Sequence, residues 1–292
     1  MSKLNVAFNR NVDVSAMSLF RSIIVVSLAC SVSLPAYAGK LDDVGKELKS
    51  SSSKKTSSSS VFRPSGGISG DNWFDDFIET VVLIASPFII PYNMVEQGRW
   101  RSDPGFLDWP YQSGFSGYGT DQLDPDRSWD RFAGRLQLGS GYAPWGYRFA
   151  GDLRLSLDSR LDVNLSGYVL VEPNEVGDYD VMSFYEPGVS WLFALGNSAQ
   201  FRFGVDLVLL VTEGDDPIPG FTANYSVDWF PVDPFVFTLE VGAGYLNNQF
   251  YGHTDVSMGV ALGPIEPFVG YEVRTIGQEY IGTASAGLRV WF

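Results

Sequence analysis

The residues of this chain that could do chemistry are arginines and carboxylates at alternate positions between residues 127 and 292, with apolar side chains between them. Six carboxylates and five arginines lie on the polar face of these alternating runs. They are Arg135, Asp152, Arg154, Asp162, Arg202, Asp206, Asp228, Glu240, Glu272, Arg274 and Arg289. Arginine binds carboxylates strongly because its guanidinium can donate two parallel hydrogen bonds. If these side chains share one enclosed space, their nearly balanced charges predict a network of ion pairs.

Catalysis would centre on His253, the only histidine of the chain. The polar residues 247–254 around it predict a loop, close to Asp255, and Asp215 and Asp216 lie in another predicted loop. A catalytic histidine requires an orienting carboxylate and a nearby nucleophile or water, but the spacing here matches no catalytic motif. We therefore expect no catalytic residue. A hydrolase or acyltransferase that uses His253 is the alternative.

The sequence carries no motif for a metal or a cofactor. It has no phosphate-binding Walker loop, and a single histidine gives no paired-histidine zinc site. The acidic stretch GDDP at 214–217 predicts a turn rather than a calcium site. Gly242 and Gly244 follow the period of a strand, whereas the dinucleotide fingerprint requires a helix directly after its glycines. We expect neither metal nor cofactor.

Short strands are the elements that would position the charged residues. Side chains of a strand alternate between its two faces, and ten alternating runs follow one another between residues 127 and 292. Each run is close to the about 9–11 residues that a tilted strand needs to cross a membrane. Every second connection, including 172–180, 212–220 and 246–254, has the polarity of a longer loop. The pattern predicts an all-β fold, an antiparallel up-and-down barrel of about ten strands, with eight or twelve as alternatives.

Aromatic residues distinguish a barrel in lipid from a soluble barrel with the same alternation. A bilayer has two interfaces, and aromatic side chains are enriched at both. One predicted rim carries Tyr142, Trp145, Phe149, Tyr179, Phe221, Tyr245 and Tyr280. The other carries Trp191, Phe193, Phe201, Trp229, Phe235 and Phe292. Two such girdles favour a transmembrane barrel whose charged side chains face the lumen.

The last twelve residues, IGTASAGLRVWF, alternate in polarity and end on an aromatic side chain. This segment resembles the closing strand of bacterial outer-membrane β-barrels, in which a terminal Phe acts as an assembly signal. Leu288, Val290 and Phe292 carry the resemblance. It is a resemblance to small bacterial outer-membrane β-barrel proteins as a class, and it covers about residues 127–292 together with the predicted signal peptide described below. It implies an outer-membrane location, contact with outer-membrane lipids and the barrel assembly machinery as a partner.

The first 38 residues have the parts of a secretory signal peptide. Arg21 precedes the apolar run SIIVVSLACSVSL, and the small-x-small site Ala36-Tyr37-Ala38 predicts cleavage after Ala38. The run is shorter than the about 20 apolar residues of a transmembrane helix. Cleavage would remove Cys30, the only cysteine, unless that residue is a lipidation site. The mature chain would then have no disulfide.

Two segments of different composition precede the barrel. Residues 39–70 are rich in serine and lysine and poor in apolar side chains, which predicts a flexible linker. Residues 71–126 begin with apolar residues at helical spacing, from Asp71 to Pro87, and continue as a connector rich in Gly, Pro and aromatic residues. Without residues 1–38 the chain has 17 basic and 33 acidic residues. This negative charge argues against a nucleic-acid partner.

Together these features indicate a class of function. We expect a non-enzymatic outer-membrane barrel with a structural, surface or narrow-pore role and a lumen filled with charged side chains. Its amino-terminal extension is expected in the periplasm. Besides the enzyme that uses His253, the alternative is a soluble secreted β-barrel that binds an apolar ligand. The sequence carries no signal for a particular oligomeric state.

Overall fold

The first described elements of the chain lie before the barrel. A computed structural model describes residues 39–53, 104–120, 129–157, 159–173, 178–196, 198–212 and 216–292. Helix α1 (Lys40–Ser53) comes first. Two short strands follow, β1 (Gly105–Phe106) and β2 (Gly119–Thr120), and they pair with each other. In this described part of the chain, no helix is long and apolar enough to cross a membrane.

The rest of the chain forms a closed barrel of ten strands, each antiparallel to its neighbours. The strands are β3 (Phe132–Ala143), β4 (Gly146–Leu157), β5 (Leu161–Pro173), β6 (Tyr179–Leu195), β7 (Ala199–Thr212), β8 (Ile218–Val232), β9 (Phe235–Leu246), β10 (Gln249–Val260), β11 (Ile265–Ile276) and β12 (Glu279–Trp291). Consecutive strands pair in sequence order all the way round. The predicted all-β, ten-stranded antiparallel barrel is confirmed.

The barrel closes where β12 meets β3. Their register runs from Ala284 opposite Tyr142 to Trp291 opposite Arg135. Phe292 and Gly134 extend it with two backbone hydrogen bonds, in which the N–O distances are 2.5 and 2.9 Å. A Cβ atom on residue 134 would lie 2.3 Å from the Phe292 ring, so the glycine makes room for the terminal side chain. The carboxy-terminal residue is thus part of the closing seam.

The barrel has two mouths, which we name by their distance from Phe292. The terminal mouth carries Phe292, the start of β3 and the connections 158–160, 196–198, 233–234 and 261–264. The distal mouth carries the connections 144–145, 174–178, 213–217, 247–248 and 277–278. Connections have two to four residues at the terminal mouth and two to five at the distal mouth, so the expected contrast between short turns and longer loops is wrong. Segment 247–254 illustrates the reason, because Asn247 and Asn248 form a two-residue turn and the polar residues after them belong to β10.

The two faces of the barrel wall differ in chemistry. Large apolar side chains cover the outside, and many are more than half exposed, such as Leu138 at 58% and Leu207 at 63%. Leu288 and Val290 of the final strand also lie on this outer face. Charged and polar side chains fill the lumen and are largely buried there. A soluble barrel would have the opposite arrangement, with apolar residues inside and polar residues facing water.

Aromatic side chains lie on the outer wall near both mouths. The distal mouth has exposed Tyr142, Phe149, Tyr179, Phe221, Tyr245 and Tyr280. The terminal mouth has exposed Phe132, Trp191, Trp229 and Phe292. Trp145 was expected with the first group, but only 8% of it is exposed. It belongs to the same buried cluster as Leu41 and Leu48, because helix α1 provides apolar surface inside the distal mouth.

Two segments close the mouths from within. Helix α1 lies in the distal mouth, where Leu41, Val44 and Leu48 join an apolar cluster of the barrel. Residues 40–53 were expected to be flexible linker, but these three side chains form one helical stripe that the barrel buries. Residues 104–120, which we call the plug, lie in the terminal mouth. The predicted signal peptide and the predicted helix 71–87 lie outside the described residues.

Candidate functional site

The lumen is the candidate functional site because the strands direct their polar faces into it. Arg135 and Arg154 are direct cross-strand partners on β3 and β4. Two neighbouring cations would repel each other, but Asp228 from the other side of the barrel lies between them. Its carboxylate oxygens are 3.1 Å from an Arg135 Nη atom and 3.6 Å from an Arg154 Nη atom. Closure of the barrel is therefore what pairs these charges.

Arg202 occupies the centre of this group and is fully buried. Its Nε atom lies 2.5 Å from Asp162 and one Nη atom lies 2.7 Å from Asp228. The other Nη atom donates to the Tyr118 hydroxyl and to the Gln200 side chain. The guanidinium thus has a partner at every nitrogen. We call Arg135, Arg154, Asp162, Arg202 and Asp228 the Asp228 cluster.

A second ion pair lies next to the closing seam. Arg289 of β12 is 2.7 Å from Glu266 of β11, and its Nε atom donates to Gln137 at 2.6 Å. The Trp291 indole donates to the other Glu266 oxygen at 2.9 Å. Both Arg289 and Glu266 are buried. This pair ties the last two strands and β3 together from inside the barrel.

A third group lies nearer the distal mouth, and we call it the Arg274 cluster. Arg274 pairs with Glu186 at 2.8 Å and with Glu272, and its guanidinium lies 3.8 Å from the centre of the Tyr168 ring. Arg148 approaches the other oxygen of Glu272 at 2.5 Å. A planar guanidinium stacked on an aromatic ring gains cation–π attraction besides its ion pairs.

A small polar cavity of about 80 Å³ lies between the two clusters. Asp206, Glu240, His253 and Asp255 are among the residues that line it. Asp206 accepts a hydrogen bond from Asn224, and its second oxygen has no partner among the described residues. A cavity of this size suits a few water molecules and no larger solute. The cavity between the two clusters is thus lined by charged and polar side chains and offers no apolar pocket.

His253 does not lie in a loop, which corrects the prediction from the sequence. It is in β10, only 7% exposed, and its Nε2 atom is 3.4 Å from a Glu240 oxygen. The polar segment around it was misread because lumen-facing residues of β10 are polar. Among the described residues, no serine, threonine or cysteine side chain hydrogen bonds to His253, so the contacts of this side chain include no nucleophile.

The plug is anchored in the terminal mouth by contacts between aromatic rings. The Tyr118 and Trp291 ring centres are 4.6 Å apart, and both side chains are buried with Phe106 and Phe230. Burial raises the pKa of Tyr118 above its ordinary value, so the phenol stays protonated while its oxygen accepts from Arg202. Phe106 also exchanges two backbone hydrogen bonds with Asp130, at 2.9 and 3.2 Å. The plug is thus continuous with the barrel wall and with the Asp228 cluster.

Helix α1 is anchored in the distal mouth through Glu172, which is fully buried at the end of β5. One Glu172 oxygen accepts from the backbone nitrogens of Gly39 and Lys40, at 2.6 and 2.9 Å. The other accepts from the Leu41 nitrogen at 2.7 Å. A carboxylate at the first turn satisfies free N–H groups and interacts favourably with the helix dipole. At the other end, Asn247 donates to the Leu48 carbonyl at 3.1 Å.

The structure places all eleven charged residues named from the sequence in the lumen. Ten of them take part in ion pairs with arginines or carboxylates of the three groups, and Glu240 also pairs with His253; Asp206 stands apart. The sequence analysis missed five lumenal residues: Arg148, Glu172, Glu186, Asp255 and Glu266. Most of them lie an even number of positions from another lumenal residue on the same strand, so both side chains point to the same face of the barrel wall. That spacing is the sequence signal that could have identified them.

In the described part of the chain, no group of three or more His, Cys, Asp or Glu residues is arranged to hold a metal ion. Comparison with protein-family models and with curated protein sequences gives no match for this chain. Its function must therefore be argued from the barrel itself.

Proposed function

We propose that the protein is an integral outer-membrane β-barrel with a closed lumen and a structural or surface role that involves no catalysis. The observation that carries this proposal is the arrangement of the barrel wall, apolar outside and charged inside. Burying apolar side chains in lipid is favourable, whereas an exposed apolar belt of this extent in water would drive aggregation. The same arrangement disfavours a soluble barrel that holds an apolar ligand, because the cavity in the described part of the lumen is lined by charged and polar side chains.

Three further features support the membrane proposal. The strands contain 12 to 17 residues, enough for the about 9–11 that a tilted strand needs to cross. Exposed aromatic side chains lie near both mouths, as at the two interfaces of a bilayer. The predicted signal peptide would direct export, and the terminal Phe292 matches the assembly signal of the class that the final strand resembles. His253 is 7% exposed in β10 and pairs with Glu240, an arrangement that suits a structural ion pair in the lumen.

Orientation is part of the proposal. The terminal mouth would face the periplasm, as in the class that the final strand resembles, and the distal mouth with α1 would face the cell surface. In this orientation α1 lies on the cell-surface side, whereas the sequence led us to expect the amino-terminal extension in the periplasm.

Single cysteines test both location and orientation. Asp43→Cys lies on the exposed face of α1, and Asp108→Cys lies on an exposed part of the plug. A membrane-impermeant maleimide should label Asp43→Cys in intact cells, but Asp108→Cys only after the outer membrane is permeabilised. The reverse labelling pattern would show that the barrel has the opposite orientation in the membrane. Labelling of neither variant in an outer-membrane fraction, or absence of heat-modifiable gel mobility, would contradict the membrane proposal.

Planar-bilayer recording tests the closed lumen. The purified protein should give no large, steady conductance, because the Asp228 and Arg274 clusters and the two closing segments leave a cavity of only about 80 Å³. A stable, high-conductance open state would contradict a structural or surface role and would favour a pore. The variant His253→Ala should behave like the unmodified protein in this measurement, since the histidine does not close either mouth.

A further inference from the structure

The amino end of helix α1 meets a buried carboxylate that pairs with no cationic side chain of the described residues. Glu172 is fully buried, and its described contacts are the three backbone nitrogens of Gly39, Lys40 and Leu41. The Lys40 ammonium pairs with Glu279. A buried carboxylate without a counter-charge is costly, even when it accepts several hydrogen bonds.

Gly39 is also the residue that follows the predicted cleavage site. The small-x-small motif Ala36-Tyr37-Ala38 was identified from the sequence alone, without reference to the barrel. Hydrolysis there adds water across the amide bond and breaks the C–N bond. Ala38 leaves with a carboxylate, and Gly39 keeps the nitrogen as a primary amine that takes up a proton. Cleavage would therefore place a positive charge on the nitrogen that lies 2.6 Å from Glu172.

We propose that Glu172 is a binding site for the α-ammonium group of the mature amino terminus, so that removal of the signal peptide creates the ion pair that seats α1 in the distal mouth. The geometry suits this pair. The Gly39 nitrogen already lies 2.6 Å from a Glu172 oxygen, so an ammonium group formed there needs no movement of α1 to pair with the carboxylate.

The pair also explains how an uncleaved chain would differ. An intact peptide bond at Gly39 leaves a neutral N–H, so Glu172 would keep three hydrogen-bond donors but lose its counter-charge. The chain of the structure, which carries residues before Gly39, has α1 docked through these three donors. We therefore expect the ion pair to hold α1 more tightly in the mature protein than in a chain that carries residues before Gly39. The inference depends on the proposed export of the barrel only through the cleavage after Ala38.

A spin label on Asp43→Cys measures docking, since α1 is immobile when docked and mobile when released. The mature chain 39–292, refolded in detergent, is compared with the same chain extended by a single glycine before Gly39. The extended chain keeps the backbone hydrogen bond to Glu172 but moves the ammonium group away. We expect the ratio of mobile to immobile label to rise at least tenfold, and to rise similarly in Glu172→Gln. The two changes together should add nothing further, because they remove the same pair.

Glu279→Gln is the matched control, because it removes the partner of Lys40 and leaves Gly39 untouched. Its label should stay mostly immobile. If the glycine extension leaves the label as immobile as in the mature chain, Glu172 is a cap for amide groups only and the proposal is wrong. This comparison holds even if Glu172→Gln does not fold. Mass spectrometry of protein extracted from cells must find Gly39 as the first residue. Another amino terminus would overturn the processing step without bearing on the membrane location, which the labelling of cells tests separately.

Discussion

The two mouths of the barrel are both closed, but by different means. The terminal mouth is closed by the plug, which exchanges backbone hydrogen bonds with Asp130 just before β3 and places Tyr118 against Arg202. The distal mouth is closed by α1, which is far from the barrel strands in sequence and is held by Glu172, by the Lys40–Glu279 ion pair, by a hydrogen bond from Asn247 and by an apolar stripe. The plug thus makes direct contacts with the ion-pair network of the lumen, whereas α1 packs against the barrel without joining the Asp228 cluster.

Because the two mouths are closed by different contacts, we expect that each closing segment can be released without the other. Loss of a plug contact exposes the Asp228 cluster, whose charges are paired only in the closed barrel. Loss of an α1 contact exposes the apolar cluster of the distal mouth and leaves every ion pair of the Asp228 cluster intact. The plug therefore contributes to the stability of the barrel, whereas α1 is a segment that can leave without unfolding it.

The largest effect is expected from Arg202→Ala. The change leaves Asp162 and Asp228 buried with fewer counter-charges, and removing one partner of a buried pair typically costs about 3–5 kcal/mol. Urea-dependent unfolding in detergent, followed by heat-modifiable gel mobility, should show this loss. Arg131→Ala, at an exposed position before β3, is the matched control and should change stability by less than about 0.5 kcal/mol. Equal losses in the two variants would refute a special role for the Asp228 cluster.

A smaller and separate effect is expected from Leu48→Ala in α1. Leu48 is 1% exposed. Truncating a buried leucine to alanine typically lowers the free energy that stabilises the packed state by about 2–4 kcal/mol. The loss should appear as release of α1, seen by the spin label at position 43, at a urea concentration below that which unfolds the barrel. The barrel midpoint should not move. Lys46→Ala, whose side chain is 69% exposed, should leave both transitions in place. A shift of the barrel midpoint in Leu48→Ala would show that the two closures are coupled.

The barrel itself could be predicted from the sequence because the alternation of polar and apolar residues is a local pattern within each strand. Alternation of polar and apolar residues assigns each strand residue to a face without knowledge of its neighbours. That rule sufficed for ten strands and for placing Arg202, Asp228 and Arg274 on the polar face. It gave no partners, since Asp228 reaches Arg135 and Arg154 only across the closed barrel.

The closing segments could not be predicted because their stability comes from the barrel. Helix α1 has only three apolar residues in its stripe, among serines and lysines that indicate a linker by composition. Its partner surface exists only once the distal mouth has formed, and isolated helices of this length are marginal in water. Glu172 was assigned to a loop for a similar reason, because nothing nearby in sequence indicates that a helix end would reach it.

The smallest effect, and the finest test of the comparison, is the loss of one hydroxyl from the plug. In Tyr118→Phe the oxygen that accepts from the buried Arg202 is removed, and hydrogen bonds to charged groups contribute about 1.5–3 kcal/mol. The matched variant is Tyr111→Phe, in which the lost hydroxyl donates to the Val232 and Phe235 carbonyls at the rim. A neutral hydrogen bond there contributes about 0.5–1.5 kcal/mol. Both rings keep their packing, so urea unfolding should rank Tyr118→Phe as the less stable variant. The opposite order would mean that the plug is held by its rim contacts, and the terminal mouth would then be closed much as α1 closes the distal one.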